Sequence, residues 1–353
     1  MLLEQLSNAF GVSSVEGDVR KIIINAAKPY ADVWHVDPLG NVFFTRKRRV
    51  KSSKKTLRVM VTAHMDEVGF IITKITGDGH LKFKAVGNIN QRVLPGKVVV
   101  VGPDRVPGVI GLKPVHLLSG EALYKVDEID SMVIDVGALG SDTGKVKVGD
   151  YATFATKFGR MGGQARYRKD SGVVKGKAFD NRAGCAMLLE LLKSDFPVDL
   201  LAVFTVQEEV GARGATVAAY AVNPDIAFVL EAPTTDDLPS PDEDAPEGFP
   251  RIGDGPVITV MDRSVISDRR LVDLLVGTAQ AEGIPYQFKR PGIGGTDAGV
   301  IHKARAGVPS VVVSVPARYI HAPAALLDLA DFWHTVQLMR AVLNRIPVDF
   351  DEK

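Results

Sequence analysis

Apolar positions along the chain fall into stretches with different periods. Near the start, Leu2, Leu3 and Leu6, then Val15, Val19, Ile22, Ile23 and Ile24, recur at helical spacing, and the break at Gly11 predicts two short helices rather than one. Ser13 and Ser14 stand where a cap before Glu16 belongs. Residues 33–45 read as paired strands around the turn Asp37-Pro38-Leu39-Gly40-Asn41. Residues 57–62 form a short apolar run of the kind found in strands buried on both faces, and it leads straight into Ala63-His64-Met65-Asp66.

From about 67 to 163 the period changes. Short β-rich runs at 70–75, 81–86, 97–101, 106–112, 132–136 and 151–154 are separated by Gly, Pro and Asp turns, with little helical periodicity, so this stretch predicts a small all-β module or barrel. Beyond it, helical and strand patterns alternate: helices at 183–193, 212–221, 269–282 and 329–346, and strands at 200–206, 226–230 and 310–315. That alternation predicts an α/β layer sandwich with a mostly parallel central sheet. One strand precedes the β module and several follow it, so residues 67–163 read as an insertion into a domain made of 1–66 and 164–353. Residues 236–254, rich in Asp, Pro and Glu, read as one long surface loop.

Composition narrows the classes. The 353 residues are 46% hydrophobic and 24% charged with a formal net charge of +1, ordinary for a soluble globular protein. No basic segment suggests nucleic acid. The densest one, Arg46-Lys47-Arg48-Arg49 with Lys51, Lys54 and Lys55, lies between strand-like runs and reads as a solvated hairpin tip. The single cysteine, Cys185, opens an apolar stretch and reads as a buried thiol rather than a nucleophile. With no intramolecular disulfide possible, the chain suits a reducing compartment. There is no secretory signal pattern, and no apolar run approaches the roughly 20 residues that cross a bilayer. The expectation is a soluble cytoplasmic protein without nucleic-acid or membrane partners.

Borderline metals take imidazole and carboxylate ligands. Such residues follow strand-like runs at His64-Met65-Asp66, Glu208-Glu209 and Glu231, and occur also at Asp180-Asn181 and His321. In open α/β sheets, ligands bind beyond the carboxyl ends of strands, so these positions can converge although far apart in sequence. Each has a bland alternative. His64 suits a hydrogen-bonded strand-end histidine, Glu208-Glu209 a solvated acidic loop, and Asp180-Asn181 a helix N-cap. Glu231 suits a plain strand-end carboxylate and His321 a surface-loop histidine. Gly211, Gly214 and Ala215 follow the glutamate pair and predict a tight turn into a helix, which favours a site there. The glycine-rich Gly292–Gly299 stretch lacks phosphate-loop spacing and reads as a loop whose backbone approaches the site or substrate closely.

Six motifs in order give the chain a strong resemblance to the tetrahedral (TET) and glutamyl aminopeptidases, a family that includes members once labelled endoglucanases. They are Leu6-Ser7-Asn8-Ala9-Phe10-Gly11-Val12-Ser13, Ala63-His64-Met65-Asp66-Glu67-Val68-Gly69-Phe70, Lys177-Ala178-Phe179-Asp180-Asn181-Arg182, Gln207-Glu208-Glu209-Val210-Gly211, Gly294-Gly295-Thr296-Asp297-Ala298 and Arg318-Tyr319-Ile320-His321. The resemblance covers nearly the whole chain. It implies a zinc-exopeptidase-like three-layer sandwich with a mixed, mostly parallel sheet, and an inserted β-barrel-like dimerisation domain at 67–163. It further implies two divalent metal ions per subunit, zinc or cobalt, bound by His64, Asp180, Glu209, Glu231 and His321, with Asp180 bridging them. Glu208 matches the general base acting on a metal-bridging water, and Asp66 the residue that orients His64. Glu231 falls where many relatives have aspartate. The Asp180-Asn181 peptide is expected to be cis. The implied activity is removal of N-terminal residues from peptides with a free N-terminus by a homo-oligomer, as in tetrahedral dodecamers built from dimers. A related metal-dependent deacylase or carboxypeptidase, or an endoglucanase-type glycoside hydrolase, is the alternative activity. A non-catalytic binding or assembly module is the alternative class.

Overall fold

The computed structural model of the chain describes residues 1–49, 56–117, 119–120, 124–140, 142–161, 172–235, 237–238, 249–347 and 350. Lys51, Lys54 and Lys55 of the basic cluster, and most of the acidic 236–254 stretch, lie outside the described residues.

Two helices open the chain, α1 (Leu2–Asn8) and α2 (Gly17–Ala27), with Gly11 between them as the spacing predicts. Ser13 does not cap α2, which begins after Glu16 without a side-chain cap; its hydroxyl instead donates to Asp66 Oδ2 at 2.7 Å. A hairpin follows, β1 (Val33–Val36) with β2 (Val42–Arg46), and then β3 (Arg58–His64), buried throughout after its first residue.

Six strands then close an antiparallel barrel: β4 (Gly69–Ile75), β5 (Leu81–Val86), β6 (Val98–Val101), β7 (Val106–Gly111), β8 (Val133–Asp135) and β9 (Tyr151–Phe154). Each of the β-rich runs in the sequence supplies one strand, and their inward residues, among them Phe70, Phe83, Ile110 and Phe154, form a separate core.

The chain returns through β10 (Gly159–Arg160), β11 (Val173–Gly176), α3 (Phe179–Leu192), β12 (Asp199–Thr205), α4 (Arg213–Val222), β13 (Ile226–Glu231), β14 (Val257–Thr259), α5 (Arg269–Glu282), β15 (Gln287–Phe288), α6 (Ala298–Ile301), β16 (Ser310–Ser314), β17 (Ala317–Arg318), β18 (Ala325–Asp328) and α7 (Leu329–Arg345). The main sheet has the order β1-β2-β12-β3-β13-β16-β14-β15. Its central strands β12, β3, β13 and β16 are parallel, flanked by antiparallel β2 and β14. Val59, Val61 and Ala63 of β3 pack with α3, α5 and α7 on one face, while Met60 packs with Ala215 and Ala218 of α4 and Ile301 of α6 on the other. Both faces are covered, which is why these strands read as unbroken apolar runs. The result is the mixed, mostly parallel three-layer sandwich with an inserted barrel that the sequence predicts. The sequence pattern gives no strand at β10, β11, β14, β15, β17 or β18, each of four residues or fewer. Four of these, in the order β10-β11-β18-β17, form a small second sheet.

A buried ion cluster joins barrel to sandwich. Glu67 Oε1 accepts hydrogen bonds from Lys177 Nζ at 2.6 Å, Gly11 N at 3.1 Å and Arg182 Nη2 at 3.3 Å, and Glu67 Oε2 accepts from Thr153 Oγ1 of β9 at 2.9 Å. Burial pushes the Lys177 ammonium down to about 8, so it stays mostly protonated at neutral pH. Arg182, fully buried, also donates to the carbonyls of Met65 (2.7 Å), Leu6 (2.7 Å) and Gly11 (3.1 Å), fastening the end of β3 to the N-terminal segment. Replacing Arg182 with Met removes these donors and leaves buried carbonyls and Glu67 short of partners. Chemical denaturation should then show a loss of about 3–5 kcal/mol. A loss below about 1 kcal/mol, the net value of one ordinary hydrogen bond, would show that the guanidinium does not hold this junction.

Candidate metal centre

The parallel strands end side by side, and their ends carry the chemistry. Register places Thr205 of β12 beside His64 of β3, and Ser314 of β16 beside Glu231 of β13. His64 and Glu231 are both buried, with Glu231 Oε2 3.8 Å from His64 Nε2.

After β12 the chain turns sharply instead of extending. Gln207 takes a positive φ of 57° and Gly211 one of 115°, and α4 starts at Arg213. A Cβ on Gly214 would stand 2.4 Å from the Val206 carbonyl, so only glycine lets the helix begin this close to the strand. Because a turn carries them, Glu208 and Glu209 both face the centre rather than pointing apart as they would on a strand. Glu208 Oε2 lies 3.9 Å from His64 Nε2, and Glu209 Oε2 lies 3.3 Å from His321 Nε2.

Asp180 and Asn181 precede the regular part of α3, with non-helical backbone angles and a cis peptide between them. They divide two tasks. Asn181 accepts from Gly184 N at 3.0 Å, the capping bond, and donates to the Leu230 carbonyl at 2.7 Å, which ties the helix start to β13. Asp180 is left free to face both imidazoles. Its Oδ1 is 3.1 Å from His64 Nε2, and its Oδ2 is 3.3 Å from His321 Nε2. His321 sits in the loop between β17 and β18 at a φ of 57°.

Asp66, fully buried, lies with Oδ1 3.4 Å from His64 Nδ1. Its carboxylate also accepts from Glu208 N (3.0 Å), Glu209 N (3.2 Å) and Ser13 Oγ (2.7 Å). It therefore holds the glutamate turn and faces the ring.

Two sets of potential ligands emerge, His64-Asp180-Glu231 and Asp180-Glu209-His321, each with ligand atoms within 4.8 Å of one another. They share Asp180. Glu209 Oε1 and Glu231 Oε1 are buried without a hydrogen-bond partner, a costly state for carboxylate oxygens that a cation relieves. The donor set of imidazoles and carboxylates thus fits divalent cations.

Electrostatics agree with that fit. Burial alone would raise the Asp180 carboxyl, but the two imidazoles hold it well below the usual range. Burial would lower His321, but Asp180 and Glu209 override it and raise it to about 11. Burial works against protonated His64 too, yet the carboxylates around it, Glu231 and Asp180 foremost, raise it well above its ordinary value. Burial also raises Glu208, Glu209 and Glu231.

Two neighbours carry no role in the sequence reading. Asp297, at the end of the glycine-rich stretch and fully buried, accepts from Thr205 Oγ1 at 2.6 Å while its Oδ1 has no partner; burial pushes its carboxyl up to about 6. Asn88, from the barrel, lines the same cavity of about 250 Å³ as His64, Glu208, Glu231, Gly294 and Gly295. The backbone of the glycine loop therefore borders the site, as its composition suggests.

A family model described as M42 glutamyl aminopeptidase matches residues 40–338. The glutamyl aminopeptidase of Lactococcus lactis is 30% identical over 359 residues, covering 98% of this chain and 95% of that protein. Among solved structures, a TET aminopeptidase from a marine sediment archaeon of the Thaumarchaeota superposes with a TM-score of 0.90 at 36% identity, covering 99% of this chain and 96% of that one. The TET1 peptidase of Pyrococcus horikoshii, described as assembling into a tetrahedron or a large octahedral shell, gives 0.82 at 32% identity, covering 98% and 100%.

The raised groups have a measurable consequence. Each binds a proton more tightly in the folded chain than in the unfolded one, so its stabilisation is complete at low pH and fades as pH rises; for His321 the window runs from 6.5 to about 11. A divalent cation must displace such protons. Calorimetric titration of the metal-free chain with zinc should show at least one proton released per ion, with affinity rising about tenfold or more per pH unit between pH 6 and 8. Uptake without proton release would mean that the metal binds elsewhere.

Proposed function

The chain belongs to the M42 glutamyl aminopeptidase family, and from that premise we propose that it is a dinuclear metal-dependent enzyme that removes N-terminal residues from peptides with a free α-amine. It is a hydrolase acting on peptide bonds. The observation that carries the finer reading is the pair of ligand sets sharing Asp180, with Glu208 beside them and outside both.

His64, Asp180 and Glu231 would hold one ion, and Asp180, Glu209 and His321 the other, with zinc or cobalt suiting the mixed imidazole and carboxylate set. When bound, two such cations supply Lewis acidity, acidifying water and polarising an amide carbonyl. Asp66 orients the His64 ring and holds the backbone of Glu208 and Glu209 in place. Glu208, whose carboxyl burial raises above the usual carboxylate range, accepts the proton of the attacking water and passes it to the leaving amide nitrogen. The substrate's free α-amine would bind beside the ions, in the cavity that Glu208 and Glu231 line. That placement selects chain ends over interior bonds.

Residues 67–163 would serve as the dimerisation domain and the remainder as the catalytic domain. By analogy with relatives described as a dodecamer or as closed shells, the working form is a homo-oligomer, a dodecamer built from dimers. We place it in the cytoplasm, consistent with the lone buried cysteine and with the lack, among the described residues, of a helix long and apolar enough to cross a membrane.

Glu208→Gln is expected to lower kcat about 10²–10⁴-fold on aminoacyl-p-nitroanilides while metal content stays at the wild-type level. N-acetylated peptides should resist the wild-type enzyme. Near-normal turnover by the variant would remove Glu208 as the base, and cleavage of blocked peptides would replace the aminopeptidase reading with a deacylase or endopeptidase one.

A further inference from the structure

The connection between β5 and β6 brings a piece of the barrel into the catalytic cavity. Gly87 has a φ of 83°, and a Cβ there would lie 3.3 Å from Glu209 Cβ and 2.8 Å from Val68 Cγ1, so the backbone presses directly against the centre. The next residue, Asn88, lines the cavity but is exposed, and its carboxamide has no partner among the described residues. The other lining groups differ in depth: His64 and Glu231 are buried at the floor, whereas Asn88 stands at the rim.

Depth orders the substrate. With the α-amine drawn to the floor, the rim meets the part of the peptide farthest from that amine, beyond the bond to be cut. There every substrate presents main-chain N–H and C=O groups whatever its sequence. A free carboxamide, with two donors and one acceptor oxygen, complements such groups.

We propose that Asn88 is a specificity-determining residue whose carboxamide hydrogen-bonds the peptide main chain beyond the scissile bond, so that the barrel favours substrates of three or more residues. The proposal rests on the aminopeptidase reading above. Its test measures kcat/KM for Leu-p-nitroanilide, Leu-Ala amide, Leu-Ala-Ala amide and Leu-Ala-Ala-Ala amide with the metal-loaded full chain. The wild type should gain with length. In Asn88→Ala the ratio of tetrapeptide to p-nitroanilide efficiency should fall about 3–10-fold, the effect of one hydrogen bond, through KM rather than kcat. Asn88→Asp, which keeps the shape but loses the N–H donors, should lose the same gain. An unchanged ratio in both variants, or an equal drop on all four substrates, overturns the proposal while leaving the aminopeptidase reading intact. Failure of the wild type to cleave any of them overturns that reading and this inference with it.

Discussion

The constraint on which the molecule depends is the crowding of negative charge at the carboxyl end of one sheet. Asp66, Asp180, Glu208, Glu209, Glu231 and Asp297 surround only two imidazoles, His64 and His321. Such a group of carboxylates repels itself and loses hydration when buried. The fold answers with oriented donors. Backbone N–H groups of Glu208 and Glu209 and the Ser13 hydroxyl point at Asp66, while Thr205 points at Asp297. Lys177 and Arg182, on either side of Asp180 in sequence, place buried positive charge close behind the centre. The charge that remains uncompensated is the quantity a pair of divalent ions would neutralise.

Much of this was visible in the residue pattern, for physical reasons that differ from part to part. The central strands are buried on both faces and the barrel strands alternate, so both announce themselves through hydrophobic period. His64 and Glu231 follow from that, since the ends of parallel strands gather ligands. Asp180 and His321 do not. One lies in an irregular helix start and the other between strands of two and four residues, where no period exists. Residue chemistry singled them out only as candidates, and motif resemblance gave them their roles. Ser13 misled for another reason: a serine before a helix is locally a good cap, and its real partner, Asp66, is distant in sequence. Asn88 gave no local signal, because its place at the cavity follows from how the barrel is seated.

The bland and functional alternatives at Asp180-Asn181 turn out to be complementary. Helix capping and charge placement fall to adjacent residues, so the helix start stays satisfied while a carboxylate is released into the site. A similar division holds at the glutamate pair. The turn that lets Glu208 and Glu209 face inward also brings α4 against the strand end through Gly214.

The barrel departs from the sandwich immediately after Asp66, and the chain re-enters the site at Lys177, next to the residues that flank Asp180. Glu67 and Lys177 grip each other at 2.6 Å across that gap. The two mouths of the insertion are thus clasped beside the candidate metal centre, like a locket hinged at its jewel. Anyone grafting another domain into this scaffold would need to transplant the clasp along with the cargo, since Glu67 bonds Thr153 of the barrel and Lys177 of the sandwich at once.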